Sequence, residues 1–246
     1  MPPPGLAIRC REFLLPRRGH RAEECQDACA CSPQRGRFAV ADGAAESAHA
    51  GLWARLLVEE FVRCPERCPA WGEWLPPLQA RWASEVGTAP DDLPVPWYLD
   101  LQHRRGAFAT FLGLAVEQGR WHAFAVGDSC LFQVRDDRLL VRFPLASAAE
   151  FGNCPWLVGS RTSPTDVPDK QGARLEGDCK AGDHLWLMTD ALAQWFLRES
   201  DAGGKPWRDL ARLLSEPDDS FATWVEGQRT AGRLRNDDIA LVAVCL

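Results

Sequence analysis

Four short acidic signatures, spread over most of the 246-residue chain, each sit at an end of an apolar run. They are Phe-Ala-Val-Ala-Asp-Gly (38–43), Phe-Ala-Val-Gly-Asp-Ser (124–129), Leu-Trp-Leu-Met-Thr-Asp (185–190) and Asn-Asp-Asp-Ile-Ala-Leu-Val-Ala-Val (236–244). A carboxylate where a buried strand reaches solvent costs desolvation free energy unless something cationic meets it. Several such strand ends, gathered by the fold, make a pocket for hard divalent cations, which prefer oxygen ligands.

Composition narrows the classes. With 46% hydrophobic and 25% charged residues the chain is ordinary for a globular protein. Its formal net charge of −6, from 28 basic and 34 acidic residues, argues against a nucleic-acid partner. No stretch approaches the roughly 18 apolar residues that span a membrane. The opening Met-Pro-Pro-Pro-Gly-Leu lacks the apolar core of a secretory signal, so a cytoplasmic location is expected. The ten cysteines form no Cys-x-x-Cys pair, and reduced thiols are expected rather than structural zinc or disulfides.

Periodicity gives a coarse map. A short buried strand at 37–42 ends in Asp42, and Ser47–Val62 carries Leu52, Trp53, Leu56, Leu57 and Phe61 at helical spacing. Trp71–Val86 repeats that pattern, with Pro76-Pro77 expected to start or break the helix. Residues 87–106 are expected to form a loop. Residues 107–143 suggest a β-meander with turns at Gln118-Gly119 and Asp136-Asp137. Residues 144–182 are expected to form loops. A strand at 184–189, a helix from Ala191, helical segments near Trp207–Leu214 and Ser220–Ala231, and a last strand at Ile239–Leu246 complete the map. Because that last strand must return to the core, residues 1–246 are expected to form one domain of mixed α and β structure.

Each acidic signature alone is a common turn. In order, they resemble the metal-dependent, type 2C serine/threonine protein phosphatases. The resemblance starts at Gly19-His20 and at Cys25-Gln26-Asp27-Ala28, which is similar to the opening of a bacterial branch of that family. It continues through Asp42-Gly43, the Gly106–Val116 strand, the Gly-Asp-Ser turn, Phe143-Pro-Leu, Pro155-Trp-Leu-Val-Gly-Ser, Thr189-Asp190 and the closing Asp237-Asp238-Ile-Ala.

The resemblance implies an α+β fold, a four-layer α/β/β/α sandwich with a central antiparallel β-sandwich flanked by helices. It implies two Mg²⁺ or Mn²⁺ ions bridged by Asp42, with the Gly43 carbonyl on one and Asp190 and Asp237 on the other. Asp27 would hold a metal-bound water, and Asp128 would help bind a third ion. The implied reaction is hydrolysis of phosphoserine or phosphothreonine proteins by a water bridged between the metals. The partners would be a phosphorylated protein substrate and a cognate kinase, and the protein a monomer. A phosphate-binding arginine is expected upstream of Asp42, with Arg21 chosen over Arg17 and Arg18, and His20 is a candidate proton donor.

Departures are visible too. Ala44-Ala45-Glu46-Ser47 replaces the family's glycine-rich stretch, Ala191 replaces a glycine, and Gln194 replaces an acidic ligand of the third ion. These departures keep open a second reading, a catalytically weak or inactive phosphatase-fold module used for sensing or binding. Other features read as structural: His49 as a helix-face residue, Glu46 as a helix N-terminal charge or a water-orienting group, His103 and His122 as surface residues. The Trp53, Trp71, Trp74 and Trp82 stripe reads as core, and the paired acids at 91–92, 136–137 and 218–219 as solvated turns.

Overall fold

Two five-stranded antiparallel sheets form the centre of a computed structural model that describes residues 7–45, 47, 49–64, 70–87, 106–152, 155–161 and 171–246. The strands are β1 (Arg9–Leu15), β2 (Asp27–Ser32), β3 (Arg37–Asp42), β4 (Phe108–Ala109), β5 (Phe111–Glu117), β6 (Arg120–Val126), β7 (Cys130–Arg135), β8 (Arg138–Phe143), β9 (Val158–Gly159), β10 (Ala173–Asp178), β11 (His184–Met188) and β12 (Ile239–Cys245). One sheet has the order β1-β12-β11-β7-β8 and the other β10-β6-β5-β3-β2, with β4 and β9 a separate pair. The helices are α1 (Ala50–Arg63), α2 (Trp71–Val86), α3 (Asp190–Asp201), α4 (Pro206–Leu213) and α5 (Asp218–Thr230).

Side-chain alternation builds the layers. Along β11, Leu185 and Leu187 point into the space between the sheets, where they meet Phe38, Val40, Leu112, Leu114 and Val242. Trp186 on the same strand joins the opposite cluster, packing with Phe196, Leu210 and Phe221 from α3, α4 and α5. On the far side, Ala39, Ala41, Phe111 and Phe124 meet Trp53, Trp71 and Trp82 of α1 and α2. The result is the expected four-layer α/β/β/α sandwich, with the tryptophan stripe in the core.

Three expectations change. The meander at 107–143 is divided: β5 and β6 belong to one sheet, β7 and β8 to the other, and the chain crosses between them at 127–129. Pro76 and Pro77 lie inside α2 and neither starts nor stops it. Burial of Trp71, Leu75, Leu78 and Trp82 on one face holds that helix despite two missing N–H donors. Strands β1, β2 and β10, which periodicity does not reveal, are all sheet edges. The 87–106 loop lies outside the described residues except for its two ends, as do His103, Glu46 and the acids at 91–92.

The turns follow their chemistry. Asp136 and Asp137 both adopt positive φ (50° and 58°), as a tight hairpin between β7 and β8 requires. Asp137 is also more than a solvated turn residue: it receives Lys205 Nζ at 2.5 Å and Trp207 Nε1 at 2.9 Å, and pairs with Arg208, tying the turn to α4. All eight described cysteines are free thiols.

Candidate active site

Strand register brings the acidic signatures to one end of the sandwich. Asp27 and Asp42 are direct partners across β2 and β3. Val126, two residues before Asp128, pairs with Phe111 at the start of β5, next to the end of β3. In the facing sheet Met188 pairs with both Cys130 and Leu241, so Asp190 and Asp237 emerge at the same end.

Backbone hydrogen bonds fix these ends and leave the carboxyl groups to face one another. Asp42 N–H donates to Thr110 Oγ1 at 3.0 Å, Thr110 N–H donates to the Asp42 carbonyl at 2.8 Å, and the Thr110 and Ser129 hydroxyls share a bond of 2.8 Å. The Thr189 hydroxyl accepts the Ala240 N–H at 2.8 Å, pinning the start of α3 to β12. Asp238 accepts Arg17 N–H at 2.7 Å and Gln26 N–H at 2.9 Å, so the 17–26 segment is laced to the start of β12. Gly43 is required by close approach: a Cβ there would stand 2.7 Å from the Gln26 carbonyl oxygen.

The acids raise one another's pKa. Burial is the largest cause at Asp27, followed by repulsion from Asp42, and holds its carboxyl well above the ordinary range. Burial again leads at Asp42, with Asp190 and Asp128 adding repulsion and Asp27 lending a hydrogen bond. Asp128 is pushed up to about 6, by burial first and then by Asp190. Asp190 is raised by burial while Arg235 opposes the shift. Asp27 Oδ2 and Asp128 Oδ1 are buried without any hydrogen-bond partner.

This surplus of hard oxygen donors fits divalent cations in chemistry. The carboxyl groups gather without closing into a ligand shell: Asp27 and Asp42 are in hydrogen-bond contact, but among the described residues no group of three or more His, Cys, Asp or Glu side chains is spaced to hold a metal ion. Arg235, which sequence reasoning passed over, pairs with Asp190 and stands 3.1 Å from Asp237. Its signal was available, since it lies two residues before a proposed ligand in an acidic surrounding.

Two cavities flank the Asp27–Asp42 pair. One of about 360 Å³ is lined by Asp42, Thr110, Asp128, Asp190 and Arg235, together with Phe151 and Leu157. The other, about 630 Å³, is lined by Asp27, Arg17, His20, His49, Cys25 and Arg55 among others. Arg21, the chosen phosphate ligand, does not line either: its side chain is 85% exposed and lies 3.7 Å from Glu24. Arg17 does. Its Nε donates to His20 Nε2 at 3.0 Å, and His20 Nδ1 is buried with no partner. Gln194 sits one turn beyond Asp190 on α3 and lines neither cavity.

Residues 17–226 match the family model described as protein phosphatase 2C. The chain belongs to this family. The matched span holds Asp27, Asp42, Asp128 and Asp190 and stops before Asp237. A comparison with curated proteins found no match. Among solved structures the chain is similar to PppA, titled a key regulatory component of T6SS in Pseudomonas aeruginosa, at 19% identity and TM-score 0.59, covering 98% of each chain. It is similar to the Mycobacterium tuberculosis serine/threonine phosphatase PstP/Ppp at 15% identity and TM-score 0.62, covering 98% of this chain and 99% of that one. The catalytic domain of PstP in complex with two manganese ions matches at 15% identity and TM-score 0.59, over 97% of each chain. At these identities the likeness is one of type 2C phosphatase fold. No helix among the described residues is long and apolar enough to cross a membrane.

Proposed function

We propose that this protein is a Mg²⁺- or Mn²⁺-dependent phosphomonoester hydrolase acting on phosphoserine and phosphothreonine in proteins. The observation that carries the reading is the convergence of Asp27, Asp42, Asp128, Asp190 and Asp237 at one end of a type 2C sandwich, two of them with buried, unpartnered oxygens. Asp42, the Gly43 carbonyl, Asp190 and Asp237 would hold two cations, and Asp128 would contribute to a further one. When bound, such ions supply charge neutralisation for the phosphoryl oxygens and lower the pKa of water at the site.

The chain's own groups then have distinct tasks. Asp27, deep and partly unpaired, orients water at the floor of the larger cavity. Arg17 replaces Arg21 as the proposed phosphate-binding cation, because it alone of the two lines that cavity. His20 accepts from Arg17 at Nε2, which leaves its one ring proton at Nδ1, the atom without a partner; in that neutral form it can donate a hydrogen bond to the leaving-group oxygen, whose proton comes from water. None of this requires a covalent enzyme intermediate, so the cysteines have no role in it. An opposing serine/threonine kinase is the implied partner, and residues 1–246 act as one monomeric, cytoplasmic domain.

Purified protein with Mn²⁺ should hydrolyse a phosphothreonine peptide. Chelator, or Asp42→Asn, should lower the rate by about a thousand-fold, the scale of losing several kcal/mol of transition-state charge stabilisation. Equal rates for Asp42→Asn and wild type would sink the reading.

A further inference from the structure

Arg235 is held in the acid cluster by local chain geometry. The Asp237 N–H donates to the Arg235 carbonyl at 3.1 Å, curling the segment so that the guanidinium returns over Asp237 and reaches Asp190. Leu234, only 4% exposed, anchors the preceding residue in the core beneath α3 and α5. The neighbouring arginines are engaged elsewhere. Arg229 donates to the Pro16 and Asp237 carbonyls at 3.2 and 2.6 Å, and Arg233 donates to Gln228 Oε1 at 2.8 Å.

We propose that Arg235 is a built-in competitor of divalent metal, occupying the Asp190 and Asp237 carboxylates in the metal-free protein and yielding them when cations bind. The proposal rests on the phosphatase reading, which assigns those two carboxylates to metal. A lone pair that accepts a guanidinium N–H is not available to a cation, and the guanidinium charge stands where the cation's charge would stand, so the two occupants compete for the same carboxylates. Burial decides that the exchange is feasible. The Arg235 side chain is 45% exposed, so the pairs it makes are individually weak and the side chain can swing into solvent. The Asp190 side chain is only 16% exposed and keeps its need for a positive partner. Arg235 also lines the 360 Å³ cavity beside Asp42 and Asp128, and its charge offsets repulsion at Asp128 as well as at Asp190. One guanidinium among five carboxyl groups moderates the repulsion without removing it, which leaves room for ions of higher charge.

The consequence is a metal affinity set by this chain's own residue. Mn²⁺ titration calorimetry on wild type, Arg235→Ala, Arg235→Gln and Arg235→Lys reads it directly, with Arg233→Ala as a control for the same change in net charge. Loss of the competitor should tighten Mn²⁺ binding by about ten-fold in both neutral variants, the size expected for removing weak competing pairs. Arg235→Lys should fall between, since an ammonium cannot span two carboxylates, and Arg233→Ala should match wild type. In chelator the neutral variants should melt below wild type, and they should gain more than wild type from added Mn²⁺. Unchanged or weaker Mn²⁺ affinity in both neutral variants, with wild type binding normally, would overturn the competitor role alone. Absence of Mn²⁺ binding in wild type and all variants would overturn the phosphatase reading and this inference with it.

Discussion

Strand β11 carries an aspartate just beyond each of its ends, about 20 Å apart, and the two live in opposite circumstances. Asp183, fully buried, receives Arg135 Nε at 2.7 Å, Arg135 Nη2 at 2.7 Å, Gln133 Nε2 at 2.9 Å and the Lys180 N–H at 3.0 Å. Burial would raise its pKa, but Arg135, Lys180 and Gln133 outweigh it and hold the carboxyl below its ordinary value. Asp190, at the other end, shares its surroundings with four further acids and one half-exposed arginine, and burial with acid repulsion lifts its pKa. One end is a finished structural site. The other is a charge imbalance built into the fold, and the proposed function rests on it.

Asp183→Asn should cause the largest loss, about 3 kcal/mol or roughly 10 °C, because it removes the charge of a fully buried acceptor and leaves Arg135, 18% exposed, with the more exposed Asp178 as its acidic partner. Thermal melting in chelator reads it, and a change of under a degree would show that Asp183 is not the anchor described.

The next effect is the pH profile of the metal-free protein. At Asp27, Asp42, Asp128 and Asp190 folded pKa values exceed unfolded ones, so stability is present at low pH and is lost as pH rises through about 6, the Asp128 value. Asp183 works in the other direction: its folded pKa is depressed, so its contribution is present above the unfolded value near 4 and disappears as pH falls below it. In chelator the melting temperature should therefore rise from pH 8 to about 5 and drop below about 4. Mn²⁺ should cancel the decline on the alkaline side. A flat profile above pH 5 would remove the imbalance from the account.

Smaller still, Thr110→Val should cost about 1.5 kcal/mol, since it strips an acceptor from the Asp42 N–H and a partner from Ser129. Equilibrium denaturation with urea would measure it, and wild-type stability in the variant would deny the lock on Asp42. The least effect belongs to Asp137→Asn, which removes the charge and keeps a residue that tolerates the positive φ of this turn. Asp137 has three cationic or N–H partners, as Asp183 does, but its side chain is 38% exposed where that of Asp183 is fully buried, so the variant's melting point should stay close to wild type. A loss comparable to Asp183→Asn would mean that the number of partners, not burial, sets the difference between the two ends.

What the sequence revealed follows the same physics. Strands with two apolar faces, such as β3, β11 and β12, read plainly, as did α1 and α3, whose single apolar stripe has helical spacing. Strands β1 and β10 did not: Arg-Cys-Arg-Glu-Phe-Leu-Leu and Ala-Arg-Leu-Glu-Gly-Asp mix charge into the pattern because each is a sheet edge with a face open to solvent. Edge β8, equally mixed, was found through its Asp-Asp turn. Asp42, Asp128, Asp190 and Asp237 were legible as strand ends, since carboxylates beside apolar runs are conspicuous; Asp27, at the head of edge strand β2, came from the family resemblance alone. The cations were not. Whether Arg17, Arg18 or Arg21 enters the cavity depends on the Asp238 bonds that orient the 17–26 segment, and Arg235 needed the turn at 235–237 to show where it points.

The most direct test compares the melting temperature of wild type and Asp42→Asn, each in chelator and in saturating Mn²⁺ at pH 7.5. In chelator the Asn variant should melt higher, by about 3 °C, because one repelling carboxylate has become neutral at nearly unchanged volume. With Mn²⁺ the order should invert, wild type rising well above the variant. An Asp42→Asn protein that melts below wild type in chelator and still gains as much from Mn²⁺ would contradict the claim that the acid cluster is an unbalanced site awaiting metal.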